Sequence, residues 1–132
     1  MIIDSSAVIA ILKGEPDAVL YTDAIEAAFV RKFSAANYLE AAVVMDACRN
    51  PIVSRRFDEF LSLASVQIVS VTQDQAEVAR QAYRDFGKGS GHKAGLNFGD
   101  CFAYALAKTS GEPLLFKGND FSQTDIYAAL KS

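Results

Sequence analysis

The sequence predicts an α/β fold with a mostly parallel central sheet and helices on both faces. Short apolar runs alternate along the chain with longer segments of helical periodicity, the pattern of parallel strands joined by crossover helices. The length of 132 residues suits one sizeable core, so we expect a single domain over residues 1–132. Hydrophobic residues make up 51% and charged residues 22%, the balance of a soluble globular protein.

In the first half of the chain, apolar runs and capping residues predict two strands and four helices. Ser5 and Ser6 offer N-cap hydroxyls for the first helix. Pro16 and Pro51 fit early positions of the second and fourth helices, where a missing backbone N–H costs nothing. The predicted strands cover 1–3 and 28–33, and the predicted helices cover 5–12, 16–28, 34–49 and 51–64.

The second half predicts two further strands and two helices around one glycine-rich loop. Thr72 and Gln75 have the spacing of a capping box, and Gly87 is placed to end that helix. The predicted strands cover 65–71 and 113–116, the helices 72–87 and 97–108, and the loops 87–95 and 117–124. The last apolar stretch, 125–130, is predicted as a short strand or a turn.

Bulk properties limit the location and the partner of the protein. No apolar run approaches the roughly 18 residues needed to cross a bilayer, and the first residues lack the basic start of a signal peptide. A cytoplasmic protein without membrane association is therefore expected. Cys48 and Cys101 lack metal-ligand spacing and are expected to be free thiols. The net charge of −3 argues weakly against non-specific nucleic-acid binding, although local basic clusters leave the partner open.

Four acidic residues fall where an α/β fold would bring them together. Asp4 directly follows the first strand, and Asp120 lies a few residues after the 113–116 strand. Ligand sites in parallel sheets lie beyond the carboxyl ends of the strands. Asp100 lies three residues after Asn97, a good N-cap residue, and Glu40 lies in the second turn of an apolar helix. The sequence therefore predicts four carboxylates near one sheet edge.

Each acid alone also has an ordinary structural interpretation. Asp4 could cap the first helix, and Asp100 could stabilise its helix through the dipole by roughly 0.3–1 kcal/mol. Glu40 could lean to the surface beside polar neighbours such as Asn37. Asp120 could be a simple turn residue.

The combination of four acids is more informative than any one of them. Clustered carboxylates in a partly dry site require either protonation or a cation, because like charges repel strongly there. Oxygen ligands without nearby His or Cys suit Mg²⁺ or Mn²⁺. Such ions lower the pKa of bound water and stabilise the leaving oxygen in phosphodiester hydrolysis. The four acids therefore favour a metal-dependent hydrolase of phosphodiesters.

Four sequence blocks resemble one known family, in the family's order and over nearly the whole chain. The blocks are MIIDSSAVIAIL, SAANYLEAAVV, LNFGDCFAYALA and LLFKGNDFSQTDI. They resemble the PIN-domain ribonucleases, specifically the VapC-type toxins of bacterial toxin–antitoxin pairs. The resemblance implies a PIN-like three-layer α/β/α sandwich with a central, mostly parallel sheet.

The resemblance also implies residue roles and partners. Catalytic and metal-binding roles map onto Asp4, Glu40, Asp100 and Asp120. Ser6 matches a serine that helps to hold metal or water, and Asn119 could share the polar role of Asp120. The implied activity is a Mg²⁺- or Mn²⁺-dependent endoribonuclease that cleaves structured RNA, such as tRNA or rRNA, and inhibits translation. The implied partners are a VapB-like antitoxin and a second copy of the chain in a homodimer.

Cations cluster around the glycine-rich loop, at Arg84, Lys88, His92 and Lys93. One interpretation is a basic loop that binds RNA phosphates beside the site, and the other is a solvated connector. His92 is the only histidine; it could act as a general acid, or it could be incidental to function. Lys117 could contact phosphate, or it could be an ordinary surface lysine.

Apolar residues on the third and fourth helices are predicted to lie in the core. They are Tyr38, Leu39, Val43, Phe57, Phe60 and Leu61. Any that remain exposed would suit an antitoxin groove or a dimer contact instead.

Two other classes of protein compete with the ribonuclease hypothesis. A phospho-acceptor receiver domain is also small and doubly wound, and Lys117 fits its late lysine. However, the third strand lacks the terminal aspartate of such domains, because the next acid, Asp74, lies inside the following helix. A non-catalytic binding module with the same fold is the second alternative, and the full set of acids argues against it.

Overall fold

The computed structural model describes residues 1–130, which form four β-strands and six α-helices. The strands are β1 (Ile2–Ile3), β2 (Lys32–Ser34), β3 (Gln67–Val69) and β4 (Leu114–Leu115). The helices are α1 (Ser5–Leu12), α2 (Ala18–Ala27), α3 (Ala35–Asp46), α4 (Pro51–Leu63), α5 (Gln73–Phe86) and α6 (Phe98–Ser110), followed by a 3₁₀ turn at Phe121–Gln123. None of the helices in residues 1–130 is long and apolar enough to cross a membrane.

The strands form one sheet in the order β3-β2-β1-β4, and every pairing between them is parallel. Ile3 lies opposite Phe33 on one side and Leu115 on the other. The residues that follow β1, β2 and β4 therefore emerge at the same edge. In receiver domains of the flavodoxin-like type the order is 2-1-3-4-5, so the observed order contradicts that alternative.

Alternate strand residues face two separate cores, which confirms the predicted three-layer α/β/α sandwich. Ile2 and Leu114 pack with α5 and α6 on one face of the sheet. Ile3, Phe33 and Leu115 pack with α1 to α4 on the other face. All five of these side chains are completely buried, as expected for a parallel sheet covered on both sides.

Several element boundaries differ from those predicted. β2 begins at Lys32 rather than at residue 28, and the preceding Phe29 is fully exposed at 105%. α3 ends at Asp46 rather than at residue 49, and α2 begins at Ala18, so Pro16 precedes the helix. The predicted strands are longer than the observed ones because the apolar runs continue into exposed connections.

The helix caps also differ from those expected. Asp4, rather than Ser5 or Ser6, is the N-cap residue of α1. Thr72 accepts a hydrogen bond from the Gln75 backbone N–H at 3.1 Å. The Gln75 side chain donates to the carbonyl of Ser70 at 3.2 Å instead of returning to Thr72, so only half of the predicted capping box forms.

The predicted core positions on α3 are only partly correct. Tyr38 packs against the buried Phe57, with ring centroids 5.7 Å apart. Leu39 and Val43 are instead exposed at 62% and 58%. They are four residues apart and therefore share one outer face of α3.

The final stretch, 125–130, makes one isolated parallel bridge, in which Ala128 pairs with Leu114. The backbone N–H of Leu114 donates to Tyr127 at 2.9 Å, and the N–H of Ala129 donates to Leu114 at 2.8 Å. The stretch therefore lies along β4 and pairs with it at one residue, without forming a longer strand.

Arg31 joins the carboxyl ends of two helices on the α1–α4 face. Its guanidinium donates to the carbonyls of Glu26 and Ala28, at the end of α2, at 3.1 and 3.2 Å. It also donates to Ala64, the C-cap residue of α4, at 2.7 Å. A cation at helix carboxyl ends is favourable, because it binds carbonyls that have no partner within the helix.

We predict that Arg31→Met lowers the free energy of unfolding by about 2–3 kcal/mol, because three charge-assisted hydrogen bonds are lost. Chemical denaturation measures this change. Arg55→Met is the matched control, since Arg55 is exposed on α4 and forms no ion pair with a described residue. Equal stability of the two variants would contradict the assignment.

Candidate active site

Asp4 lies at the carboxyl end of β1 and is only 4% exposed. Its backbone N–H donates to the carbonyl of Leu115 at 2.9 Å, which fixes the residue to β4. Its Oδ2 accepts hydrogen bonds from the backbone N–H of Ser6 at 3.0 Å and from the Ser6 hydroxyl at 2.5 Å. A buried carboxylate is therefore held in one orientation at the centre of the sheet edge.

Ser6 connects Asp4 to the segment that follows β4. Its hydroxyl donates to Asp4 and accepts from the backbone N–H of Lys117 at 3.0 Å. The serine that the resemblance associates with holding metal or water therefore contacts Asp4 directly.

Glu40 extends from the second turn of α3 towards α6. The residue as a whole is exposed, but its Oε1 accepts from the Ser5 hydroxyl and, at 3.3 Å, from Asn37 Nδ2. Its Oε2 lies against Gly99, so closely that a Cβ on that glycine would overlap it. Glu40 is thus exposed, as the surface alternative proposed, but both of its carboxylate oxygens also contact the protein.

Asp100 takes part in a complete capping box at the start of α6. Asn97 Oδ1 accepts from the Asp100 backbone N–H at 2.8 Å, and Asp100 Oδ2 accepts from the Asn97 N–H at 3.0 Å. The body of α6 is buried from Cys101 through Ala107, apart from the half-buried Phe102. The helix is thereby fixed in the core, and Asp100 does stabilise its own helix.

Asp120 and Asn119 lie on the exposed loop after β4. Asp120 precedes Phe121, which is buried and anchors the loop. The Asn119 carbonyl accepts from the Ser122 hydroxyl at 2.7 Å, and Asn119 lines a shallow groove that also includes Leu20. Within residues 1–130, neither side chain forms a hydrogen bond with another acid of the set.

The four acids influence one another electrostatically. Burial raises the pKa of Asp4 to about 7, and the charges of Asp100 and Glu40 add to the rise, against the lowering effect of the Ser6 hydrogen bonds. Burial also raises the pKa of Asp100, and the charges of Asp120 and Glu40 add to it. The carboxylates of four separate segments therefore share one electrostatic environment.

This shared environment is looser than a preformed metal cage. Among residues 1–130, no three His, Cys, Asp or Glu side chains are close enough together to hold a metal ion as the chain stands. Coulomb repulsion acts over longer distances than direct ligation, so the two observations are compatible. Asp4, Glu40 and Asp100 each accept hydrogen bonds from donors of the protein.

The basic residues divide into those near the acids and those elsewhere. Lys88 lies close enough to Asp100 to lower its pKa. His92 Nδ1 accepts from the Ala94 backbone N–H at 3.0 Å, and its ring packs edge-on against Phe86, so it stabilises the loop. Arg84 and Lys93 are exposed.

Lys117 is held away from the acids by an ion-pair network. Its ammonium pairs with Glu15, and with Asp17 at 3.0 Å, both in the connection between α1 and α2. The side chain fastens this connection to the end of β4, while the backbone of the same residue binds Ser6.

Three site residues were not predicted as such: Ser5, Asn37 and Gly99. Asn37 was considered only as a surface neighbour of Glu40, yet it is completely buried. The sequence offered one signal for this contact. Gly99 lies in the first turn of a largely apolar helix, although glycine is a poor helix former.

Comparison with known families gives a match over almost the whole chain. The model of the PIN domain matches residues 1–127. VapC ribonuclease Mb0625 of Mycobacterium bovis is 55% identical over 130 residues, which are 98% of each chain. Ribonuclease VapC of Mycolicibacterium smegmatis is 53% identical over 128 residues, which are 97% of this chain and 98% of the relative.

Solved structures show the same fold at low sequence identity. The toxin VapC20 of Mycobacterium tuberculosis, described as cleaving the sarcin–ricin loop, aligns with a TM-score of 0.72 at 15% identity over 95% of each chain. A toxin–antitoxin complex from Klebsiella pneumoniae aligns with a TM-score of 0.67 at 20% identity, covering 92% of this chain and 89% of the other.

The raised pKa of Asp4 makes the stability of the protein depend on pH. Between the ordinary value of 3.8 and about 7, the folded state holds a proton on Asp4 that the unfolded state has released. The contribution of Asp4 to the free energy of unfolding is therefore present at low pH and is lost as the pH rises between these two values. Asp17 and Asp125 have lowered pKa values because of their lysine partners, so their contributions change only at lower pH.

We predict that, in EDTA, the wild type is less stable at about pH 8 than at about pH 5, and that Asp4→Asn reduces this fall, leaving the part that comes from the raised pKa of Asp100. At the higher pH the variant should exceed the wild type by on the order of 1–3 kcal/mol, because the buried charge is gone. Denaturant unfolding at both pH values measures the effect. Asp58→Asn, at an exposed position of α4, should keep the wild-type fall; the same fall in Asp4→Asn would show that Asp4 is not its source.

Proposed function

Since this chain belongs to the PIN-domain family, with VapC ribonucleases among its near-full-length relatives, we propose that it is a metal-dependent endoribonuclease toxin. One observation supports this most strongly: Asp4, Glu40, Asp100 and Asp120, from four segments, act on one another electrostatically at the carboxyl edge of a parallel sheet. Repelling carboxylates at this edge suit a cation, although Asp4 and Asp100 also cap helices.

The proposed cofactor is Mg²⁺ or Mn²⁺, and the donor set fits such an ion. The four acids offer only oxygen ligands, which hard divalent cations prefer, and Ser6 adds a hydroxyl beside Asp4. Burial and the charges of the other acids raise the pKa values of Asp4 and Asp100, so a bound cation would stabilise their charged forms. When bound, the ion would supply Lewis acidity and a water of lowered pKa.

The protein groups around the acids have their own tasks. The Ser6 hydroxyl and backbone N–H fix the orientation of Asp4, and Asn97 fixes that of Asp100. With a pKa of about 7, Asp4 holds a proton in much of the metal-free protein at neutral pH. Metal binding must release that proton, so affinity for the ion should rise with pH.

RNA is the proposed substrate, and the loop 87–95 is the proposed phosphate contact. Lys88 lies near Asp100, where it could bind a phosphate next to the scissile one, and Arg84 and Lys93 extend the positive surface. Because His92 stabilises the loop, we assign it no proton transfer. The ammonium of Lys117 already has two carboxylate partners, so it is a weaker candidate for phosphate.

Structured RNA, of the tRNA or rRNA class, is the proposed target. VapC20, which has the same fold, is described as cleaving the sarcin–ricin loop. Cleavage of such RNA in the cytoplasm would inhibit translation.

A VapB-like antitoxin and a second copy of the chain are the proposed protein partners. The complex from Klebsiella pneumoniae joins a toxin of this fold class to its antitoxin. In this chain Leu39 and Val43 leave an apolar face of α3 exposed, which suits an apolar partner surface. Helix-in-groove binding of an amphipathic segment is one mode that uses such faces.

We predict that the purified protein cleaves RNA with Mg²⁺ or Mn²⁺, and that Asp4→Ala or Asp100→Asn reduces the rate by at least about 100-fold. Asn at position 100 can still accept the capping bond from Asn97, so the fold should be retained. Gel analysis of cellular RNA and sequencing of the cut ends measure the loss and locate the site.

Asp74→Asn is the matched control, because Asp74 is an exposed acid in the first turn of α5. It should cleave as the wild type does. Cleavage that persists in EDTA, or in both site variants, would contradict the metal mechanism. A wild type that binds RNA or an antitoxin without cutting would favour the non-catalytic module.

We further predict that induced expression arrests growth and that co-expression of the neighbouring small reading frame restores it. The expected reason is capture of the toxin by that product, which co-purification with a tagged toxin would detect. Asp4→Ala should abolish the arrest but retain the capture. Arrest that the neighbouring product does not relieve would contradict antitoxin control.

A further inference from the structure

We propose that Asn37 is a positioning residue of the active site, which together with Gly99 fixes the Glu40 carboxylate against the first turn of α6. This inference rests on the proposed function and deepens it, because it assigns the contact that sets one catalytic acid relative to another. Asn37 itself would touch neither RNA nor metal.

Asn37 contacts both segments that carry the acids concerned. It is completely buried on α3, one turn before Glu40. Its Nδ2 donates to Glu40 Oε1 at 3.3 Å and to the Gly99 carbonyl at 3.0 Å. Both partners are acceptors, so only the amide nitrogen can face them and the orientation of the side chain is determined.

The other end of the same amide is unfavourable for stability. Within the described residues, Asn37 Oδ1 is buried and receives no hydrogen bond. A buried acceptor without a donor destabilises a fold, and an apolar side chain of similar size would avoid that penalty. The residue is therefore better explained by what its nitrogen holds than by its effect on folding.

Gly99 is explained by the same contact. It lies inside α6 with ordinary helical geometry, so the backbone does not require glycine, and alanine would favour the helix. A Cβ at this position, however, would overlap Glu40 Oε2 and lie 2.8 Å from Glu40 Cδ. The Glu40 carboxylate therefore occupies the space that a side chain at position 99 would need.

Ser5 completes the support of Glu40. Its hydroxyl donates to Oε1, the same oxygen that accepts from Asn37. A glutamate on an exposed stretch of helix normally samples many rotamers, and this freedom must be lost for a fixed geometry. The two hydrogen bonds to Oε1 and the α6 backbone beside Oε2 restrict the side chain and remove this freedom.

The steric part of the proposal can be tested by a double-mutant cycle that needs no enzymatic activity. Gly99→Ala should lower the melting temperature of the wild type by roughly 3–6 °C. In a Glu40→Ala background, where the overlapping carboxylate is absent, the same change should be neutral or stabilising. Equal shifts in both backgrounds would overturn the proposed contact.

The positioning part can be tested with Asn37→Leu, which removes both donors and the unpaired acceptor. We expect the variant to fold, to bind Mn²⁺ at least about 10-fold more weakly by calorimetry, and to lose kcat by a similar factor with an unchanged KM for RNA. Gln75→Leu is the matched control, because Gln75, on α5, is the other amide among residues 1–130 that has a buried oxygen without a hydrogen bond. It should keep the wild-type Mn²⁺ affinity and kcat.

The outcomes separate this inference from the proposed function. A folded Asn37→Leu with wild-type Mn²⁺ affinity and kcat would overturn the positioning role while leaving the ribonuclease intact. A wild type that does not cleave RNA would contradict the proposed function, and the melting cycle would still decide the Glu40 contact. If Asn37→Leu fails to fold, Mn²⁺ binding by Gly99→Ala, expected to be weakened, decides the question in its place.

Discussion

The burial of Asp4 at the end of the central strand is the constraint on which the rest of this structure depends. β1 lies between β2 and β4, so its carboxyl end has a neighbouring strand on each side. A carboxylate there is costly, as its pKa of about 7 indicates, and the charges of Glu40 and Asp100 add to the cost. A fold that keeps such a group must provide donors around it, and Ser6 does so with both its backbone and its hydroxyl.

Each remaining acid is held by a different local device, and most of these devices also serve stability. Asp100 forms half of a capping box, so the bond that stabilises α6 also orients the carboxylate. Glu40 depends on contacts between two helices. Asp120 depends on the buried Phe121 beside it. Structural and catalytic interpretations of these acids are therefore compatible, since the hydrogen bonds that stabilise an element also fix its functional group.

The sequence was sufficient for the layers of the fold and for the position of Asp4 directly after the first strand. Alternating strand and helix patterns imply a parallel sheet, and residues after parallel strands share an edge. Local detail was less predictable. Asp and Ser have similar N-cap preferences, so Asp4 could not be distinguished from Ser5 as the cap. Exposure of Phe29 depends on where the chain leaves the sheet, which an apolar run does not encode.

Long-range contacts were the least predictable part of the site. The bond from Asn37 to the Gly99 carbonyl joins residues 62 positions apart, and it exists only because α3 packs beside α6. Periodicity within α3 places Asn37 on a face of the helix but does not identify its partner. Exposure of Leu39 and Val43 has the same origin, because it depends on which neighbours pack against α3.

The pairing of β1 with β4 has a consequence for the biosynthesis of the protein. The hydrogen bond from the Lys117 backbone to the Ser6 hydroxyl spans 111 positions, and β4 itself is among the last elements to be synthesised. Contacts of such separation form late in folding. A nascent chain that ends before Asp100 lacks two of the four acids and the strand that encloses the first. The proposed set of acids is therefore complete only when translation is almost finished.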